Sequence, residues 1–322
     1  MASRREGPPQ PPLFAVRGQI GRRQYWALAL IGLVVPLLLW WAVSASGMVT
    51  KTFMPGPVHV WDRAVLWFTE DDLMADIGIS VYRVVAGWGL SALIAIPLGL
   101  AIGTYRPVQA LLEPLTDFIR YMPAVAFIPL VMLWIGIAES SKIAIIWIGT
   151  FFQMVLIVAN TTRQLDRSLV EAAQTLGASR RQLVRHVIVP GVLPQLYADL
   201  RILLGWAWTY LFVAELIGAK SGVTAFVAQQ SRYFNFDLVY AAIIVIGVIG
   251  LVTDQVLQYG ARFFFPWQRR PIGPVARVVW SALTFVPRRL ASAARAQGAA
   301  RTASTQAPAP AIAQERLNVA PS

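Results

Sequence analysis

Six apolar segments, each long enough to cross a lipid bilayer, limit what this chain can fold into. They lie at about 26–44, 78–103, 122–138, 142–160, 197–217 and 239–260. A helix that crosses the hydrocarbon core needs roughly 20 such residues. The third segment is the shortest, and Pro123 and Pro129 interrupt it, which favours a position buried among neighbouring helices. The pattern predicts an all-α, polytopic membrane protein with about six transmembrane helices.

The composition agrees with a membrane protein and leaves few ligands for a metal. Only 14% of the 322 residues are charged and the mean hydropathy is +0.57, so the apolar excess needs lipid as its solvent. Cysteine is absent, and the two histidines, His59 and His186, lie far apart. We therefore expect no disulfide, no metal site and no cofactor.

The distribution of charge predicts the orientation. The first 24 residues carry five arginines and one glutamate, and residues 161–187 carry five arginines, one aspartate and one glutamate. Beyond residue 260 there are nine arginines and one glutamate, whereas 45–76 carries two basic and five acidic residues. Because basic loops stay in the cytoplasm, both termini and the 161–187 loop are predicted to be cytoplasmic. The net charge of +12 is thus explained by topology, and no nucleic-acid partner is expected.

The rest of the chain divides around these segments. Residues 1–24 are predicted to be a cytoplasmic tail, 25–268 the transmembrane domain, 269–297 an amphipathic helix on the inner leaflet, and 298–322 a disordered tail. The first apolar segment reads as a retained anchor, with a cleaved signal peptide as the alternative. Outside the membrane, Pro55-Gly56-Pro57 predicts a turn followed by an interfacial, tryptophan-bearing helix.

A polar, basic stretch, EAAQTLGASRRQLVRHVIVP at 171–190, interrupts the apolar pattern. Ser168 and Glu171 have the spacing of a capping box, which predicts a helix start. Gly177 would then separate two helical pieces, and Val189-Pro190 would end the second piece and turn the chain back toward the membrane. On these residues alone, an amphipathic helix lying on the lipid surface is the alternative.

This stretch resembles the EAA motif of ATP-binding cassette importer permeases. The matching positions are Glu171, Ala172, Ala173, Gly177, Val187, Val189 and Pro190. The resemblance covers about 52–268 and includes AVAFIPLVMLWIGIAESSK at 124–142, AELIGAKSG at 214–222 and GLVTDQVLQ at 250–258, which look like permeases for nitrate, taurine and alkanesulfonates. The sequence departs from the pattern at Ala198-Asp199, where the family often has a small residue and glycine, and at Gly222-Val223-Thr224, where Gly-x-Gly is common.

The resemblance implies a type I importer permease whose 168–190 loop docks in a groove of a cytoplasmic ATPase. The residues carried over to this coupling role are Glu171, Ala172, Ala173, Gly177, Arg180, Arg181 and Pro190. It further implies an external substrate-binding protein, a second copy of the chain, and a place in the bacterial inner membrane. The solute stays open: nitrate, nitrite, cyanate, sulfonates, taurine and bicarbonate are candidates, as are vitamin precursors.

The sequence argues against an enzyme. No G-x-x-x-x-G-K-[ST] loop occurs, and GAKSG at 218–222 lacks the glycine before Lys220. An ion-coupled carrier is the rival class, because Arg83, Arg201, Glu215 and Asp254 lie in or near apolar segments. Such a carrier would need internal repeats, which are not found.

Two expectations concern the translocation path. Counting along the helices places Arg83 and Glu215 at a similar depth, which predicts an ion pair, with an anion contact at Arg83 as the alternative. The candidate path residues are Arg83, Gln153, Trp206, Thr209 and Glu215, and Tyr82, Asn160, Trp208 and Tyr210 are further polar or aromatic candidates. We expect a narrow, mostly apolar conduit at a two-fold axis, without a high-affinity site.

Overall fold

The fold rests on the close packing of two long helices, α3 and α6. The computed structural model describes residues 21–70 and 73–267. The first elements are α1 (Arg22–Ala45), α2 (Pro57–Glu70), α3 (Leu73–Thr104) and α4 (Arg106–Arg120), followed by a 3₁₀ turn (Ala124–Phe127), α5 (Ile128–Ile135) and α6 (Glu139–Arg163). Then come α7 (Arg167–Thr175), α8 (Arg180–Gln182), a π-helical segment (Leu183–Ile188), α9 (Val189–Glu215), α10 (Val223–Arg232) and α11 (Phe236–Phe264).

A stripe of small residues on α3 permits this packing. Gly87, Ser91, Ala95 and Gly99 recur at every fourth position and are buried. A β-carbon on Gly99 would come 2.6 Å from the β-carbon of Val158 on α6. Small residues at this spacing let two membrane helices approach closely, and the hydroxyls of Ser91 and Thr150 join them at 2.7 Å.

The core continues from α6 onto α9. Met154, Val155, Val158 and Ala159 of α6 are fully buried and belong to one apolar cluster with Leu196 and Leu203 of α9. Helix α1, by contrast, is exposed along most of its length, and its C-terminal part is tied to the loop that follows. There the Trp40 indole donates to the Pro55 carbonyl at 3.1 Å and the Ser44 hydroxyl donates to that of Met54 at 3.0 Å.

Five described helices are long and apolar enough to cross a membrane: 23–45, 73–104, 139–163, 180–215 and 236–264. A sixth span is obtained only if 106–120 and 124–135, which meet at 89°, are counted together. The all-α, multi-span prediction is confirmed. The third predicted segment, 122–138, is not a continuous helix, because Pro123 disfavours a helical residue before it and the chain turns there.

The predicted outer elements and tails have different outcomes. The helix predicted after Pro55-Gly56-Pro57 is present, with α2 beginning at Pro57. The turn itself lies earlier than predicted, at 51–53, where the Phe53 amide donates to the Thr50 carbonyl at 2.9 Å. Helix α1 begins at Arg22, inside the predicted tail 1–24. The predictions for residues 1–20, 269–297 and 298–322 lie outside the described residues.

Candidate functional site

The loop after α6 forms a short exposed helix, α7, which is capped by Asp166. The Asp166 carboxylate accepts the Ser168 amide at 2.9 Å. This hydrogen bond from Ser168 lowers the pKa of Asp166 below its ordinary value. The predicted capping box at Ser168 and Glu171 is therefore wrong, because the helix begins one residue before Ser168, at Arg167, and the aspartate ahead of it occupies the capping position.

Gly177 separates α7 from α8, as predicted. Its φ is +81°, in the left-handed region, and no atom of the described residues beyond its chain neighbours lies within 4 Å of the place a β-carbon would take. A capping box does form on the far side, where the Gln182 side chain accepts from the Ser179 amide at 2.8 Å. Two independently capped helices thus meet at a glycine that only a few residue types could replace.

The chain does not turn back at Val189-Pro190, which corrects the sequence-based expectation. Residues 180–215 form one continuous helical path, and Pro190 lies in the first turn of α9. The π-helical segment before it includes a bond from the Val189 amide to the Val184 carbonyl. Since proline has no amide hydrogen, Pro190 removes one backbone bond from this path, at the point where the π-helical segment passes into α9.

The coupling residues carried over from the resemblance lie mostly on the surface. Exposed members are Glu171, Ala172, Gly177, Arg180, Arg181 and Pro190, and Ala173 is half-buried. Leu176, next to the glycine, is 88% exposed.

A polar cleft of about 580 Å³ lies under α7. Its walls come from the ends of α3 and α6, the start of α4, and α7 itself. Lining side chains include Arg106, Arg163, Arg167, Glu171 and Gln174. Arg163 is held by both carboxylate oxygens of Glu113, at 2.8 and 2.9 Å. This ion pair joins α6 to α4 beside the cleft.

At the other end of α3, Arg83 is the centre of a buried charge network. It is fully buried, and its Nη1 donates to Glu215 at 2.7 Å, so the predicted ion pair is confirmed. The same nitrogen donates to the Ser221 carbonyl at 2.8 Å. Its Nε and Nη2 donate to the two oxygens of Glu139, at 2.6 and 2.8 Å. One arginine thus links α3, α6 and α9 to the loop that precedes α10.

Glu215 also caps the next helix. Its Oε2 accepts the amide of Thr224 at 3.0 Å and that of Ala225 at 3.3 Å, together with the Thr224 hydroxyl. Its Oε1 accepts the Ser80 hydroxyl at 2.7 Å. The carboxylate is fully buried, and each oxygen has several donors, so its charge is compensated. Thr224, one of the departures from the resembled family, is a hydrogen-bonding member of this cluster.

Sequence reasoning missed four members of the network. They are Glu139, Lys142, Asp76 and Ser80. Lys142 donates to Glu139 at 2.6 Å, and Asp76 accepts the Gly222 amide at 2.6 Å. The E-S-S-K spacing of Glu139 and Lys142, three residues apart at a helix start, was the available signal. This spacing predicts that Glu139 and Lys142 pair with each other. Nothing in the local sequence indicates that Glu139 also accepts hydrogen bonds from Arg83, which lies on another helix.

The predicted path residues separate into groups. Gln153, Trp206 and Tyr210 line a small cavity of about 170 Å³ together with Arg120. Tyr210 covers Gly149, where a β-carbon would come 2.5 Å from the ring. Arg83 and Glu215 belong instead to the buried network, and Thr209 is exposed, its hydroxyl directed at the Gly205 carbonyl.

The remaining candidates lie apart from this cavity. Tyr82 is exposed, Trp208 is buried, and Asn160 is exposed and accepts a hydrogen bond from Arg163. Asp199, at the other position where the sequence departs from the resembled family, accepts hydrogen bonds from Thr161 at 2.5 Å and from Gln195 at 3.0 Å. Within 21–70 and 73–267, no cluster of three or more histidine, aspartate or glutamate side chains could hold a metal ion.

Comparison with known proteins gives one consistent result. Residues 95–264 match the family of binding-protein-dependent transport system inner membrane components. A probable ABC transporter permease of Brucella abortus is 36% identical over 243 residues, covering 76% of this chain and 96% of the relative. The taurine transport system permease protein TauC of Escherichia coli is 32% identical, covering 74% and 89%. A putative aliphatic sulfonates transport permease, SsuC of Bacillus subtilis, is 32% identical, covering 81% and 95%.

Proposed function

Because this chain belongs to the binding-protein-dependent transport system inner membrane components, we propose that it is the membrane-spanning permease subunit of an ATP-binding cassette importer. It forms the path for a solute, and a separate ATPase polypeptide hydrolyses ATP. The absence of a phosphate-binding loop sequence supports this division of labour. An external binding protein delivers the solute.

The observation that carries the proposal is the loop around α7. It presents exposed residues on two short helices, each with its own cap, joined at Gly177. The second helix continues without interruption into α9, whose side chains line the small cavity. A push on the exposed helices by an ATPase therefore has a continuous helical route, 180–215, into the membrane domain. A surface helix that merely lies on lipid would not need such a connection.

We propose a small anion of the nitrate, sulfonate or bicarbonate class as the solute. Two relatives are named as permeases for taurine and for aliphatic sulfonates. Both of these solutes carry a sulfonate group. The cavity that Gln153, Trp206 and Tyr210 line offers neutral donors, with the guanidinium of Arg120 at its wall. Neutral donors bind an anion weakly, which suits passage. A vitamin precursor is the alternative solute.

The proposed assembly contains two copies of this chain around one path, in the bacterial inner membrane with both termini in the cytoplasm. The basic loops on one side and the acidic segment on the other support this orientation. An ion-coupled carrier is less well supported. Its titratable carboxylate would have to be free to change protonation, whereas Glu215 accepts hydrogen bonds from four neighbouring residues.

Uptake by reconstituted vesicles tests the proposal. The chain is incorporated with the co-encoded ATPase, and the binding protein is added outside with labelled taurine or a sulfonate. We expect uptake that needs ATP inside, stops with vanadate and fails without the binding protein. Uptake driven by an ion gradient in the absence of ATP would contradict the importer and support a carrier.

A further inference from the structure

Three N–H donors from two buried cations converge on one half-exposed carboxylate. Arg83 supplies Nε and Nη2 at 2.6 and 2.8 Å, and Lys142 supplies Nζ at 2.6 Å, all to Glu139. We propose that Arg83 and Lys142 form a binding site for a monovalent oxyanion, which the Glu139 carboxylate fills when no solute is present. This inference rests on the proposed function, because the oxyanion that would bind here is the solute that the importer carries.

The donors have the geometry that an oxyanion requires. A guanidinium presents parallel N–H groups that match two oxygens bonded to one central atom. Glu139 already uses this arrangement, with one oxygen on Nε and the other on both Nη2 and Nζ. The O–S–O edge of a sulfonate or the O–N–O edge of nitrate offers the same pair of acceptors. The site therefore needs no new donor.

Glu139 is the partner that can leave. Its side chain is 46% exposed, whereas those of Arg83 and Lys142 are 0% and 6% exposed. It is also the first residue of α6, so its side chain can rotate into water without disturbing an interior helical turn. When an incoming oxyanion takes its place, the buried cations keep a counter-charge and Glu139 becomes hydrated. The exchange therefore avoids the cost of leaving a buried charge alone.

Glu215 cannot leave in the same way. Its side chain is 0% exposed, and it is fixed by the Ser80 hydroxyl and the Thr224 amide, at 2.7 and 3.0 Å, besides Arg83. It therefore remains as a permanent anion beside Arg83. The network has one fixed carboxylate and one exchangeable carboxylate, and only the second opens a site.

This charge balance selects monovalent anions. With Glu139 displaced, two cations and the fixed Glu215 leave one net positive charge for the ligand. A sulfonate or nitrate neutralises it, whereas sulfate would leave an uncompensated negative charge near the buried group. Methanesulfonate should therefore bind and sulfate should not compete.

The test uses the full chain in complex with its ATPase, in lipid nanodiscs, with methanesulfonate as the probe. Saturation-transfer NMR of its methyl protons reports weak binding directly. Glu139→Gln removes the competing charge, and we expect the dissociation constant to fall by about tenfold, because the binding-competent fraction rises. Lys142→Met removes one donor and one charge, and we expect it to weaken binding by at least about tenfold.

Glu113→Gln is the matched control, because Glu113 also holds an arginine with both oxygens but lies elsewhere, at Arg163. It should leave methanesulfonate binding unchanged. If Glu139→Gln fails to assemble with the ATPase, Lys142→Met decides alone. Unchanged binding in Lys142→Met, or sulfate competing as well as methanesulfonate, would overturn the site. If uptake is driven by ATP but methanesulfonate binding does not respond to these variants, the site is overturned and the importer function is supported. If binding responds to the variants but uptake does not depend on ATP, the site is supported and the importer function is overturned.

Discussion

Gly222 lies against the carboxylate of Glu215 so closely that a β-carbon on it would come 2.5 Å from Cδ of Glu215. Its φ is +120°, which L-residues with side chains rarely adopt. The Gly222 amide donates to Asp76 at 2.6 Å, and the next amide, of Val223, donates to Ser80 at 3.0 Å. A single glycine thus allows the chain after α9 to lie directly on the charge network of α3.

Gly222→Ala should destabilise the protein by about 3 kcal/mol or more, since it adds backbone strain to a steric clash with an immobile carboxylate. Thermal unfolding of the purified chain in detergent measures this. Gly89→Ala on α3 is the control, because no atom outside its own helix and chain neighbours lies within 4 Å of the added carbon among the described residues. It should leave stability unchanged or raise it slightly. Equal unfolding temperatures for the two variants would contradict the prediction.

Glu215→Gln should cost about 3–5 kcal/mol, because it removes the fixed partner of a fully buried guanidinium. Arg83→Gln should show a similar loss and impair assembly with the ATPase. The double variant should be less destabilised than the two single losses combined, since neither charge is then left alone. A double-mutant cycle from unfolding midpoints measures the coupling. Strict additivity would show that the pair has no energetic coupling.

Gly177→Leu should abolish ATP-coupled uptake without preventing membrane insertion. Gly177 has a φ of +81° with open space around it. Leucine would therefore be strained because it disfavours this left-handed backbone conformation, and not because its side chain would clash with a neighbour. Gly177→Asn is the control, because asparagine tolerates the left-handed region and should keep most of the activity. Uptake and ATPase activity in reconstituted vesicles are the measurements. Normal uptake by the leucine variant would show that the loop is only a surface helix.

The start of α7 should depend on pH through Asp166. Its pKa is lowered in the folded protein by the hydrogen bond from Ser168, so the ionised form stabilises the cap above the ordinary value of 3.8. This stabilisation is lost as the pH falls through the lowered pKa. Amide exchange at Ser168, corrected for its intrinsic pH dependence, should therefore accelerate below about pH 4. Asp166→Asn keeps an acceptor without the titration, and its protection should stay constant with pH.

Several features of this protein follow from local sequence. The long spans are predictable because about 20 consecutive apolar residues have no stable place outside lipid. The similar depth of Arg83 and Glu215 follows from counting residues along two helices, since the rise per residue fixes the depth of each charge. Gly177 could likewise be placed between two helices, because glycine disfavours a helix interior. These conclusions depend on properties that neighbouring residues carry by themselves.

Other features depend on contacts between distant residues, and only the tertiary structure decided them. Hydropathy does not state which face of α3 meets α6, so it could not bring Glu139 and Lys142 to Arg83. Trp206 and Thr209 lie on one apolar segment, yet only Trp206 lines the cavity, because the packing of α9 against α6 sets the helix rotation. Sequence thus determined which residues must leave water, whereas packing decided which of them meet.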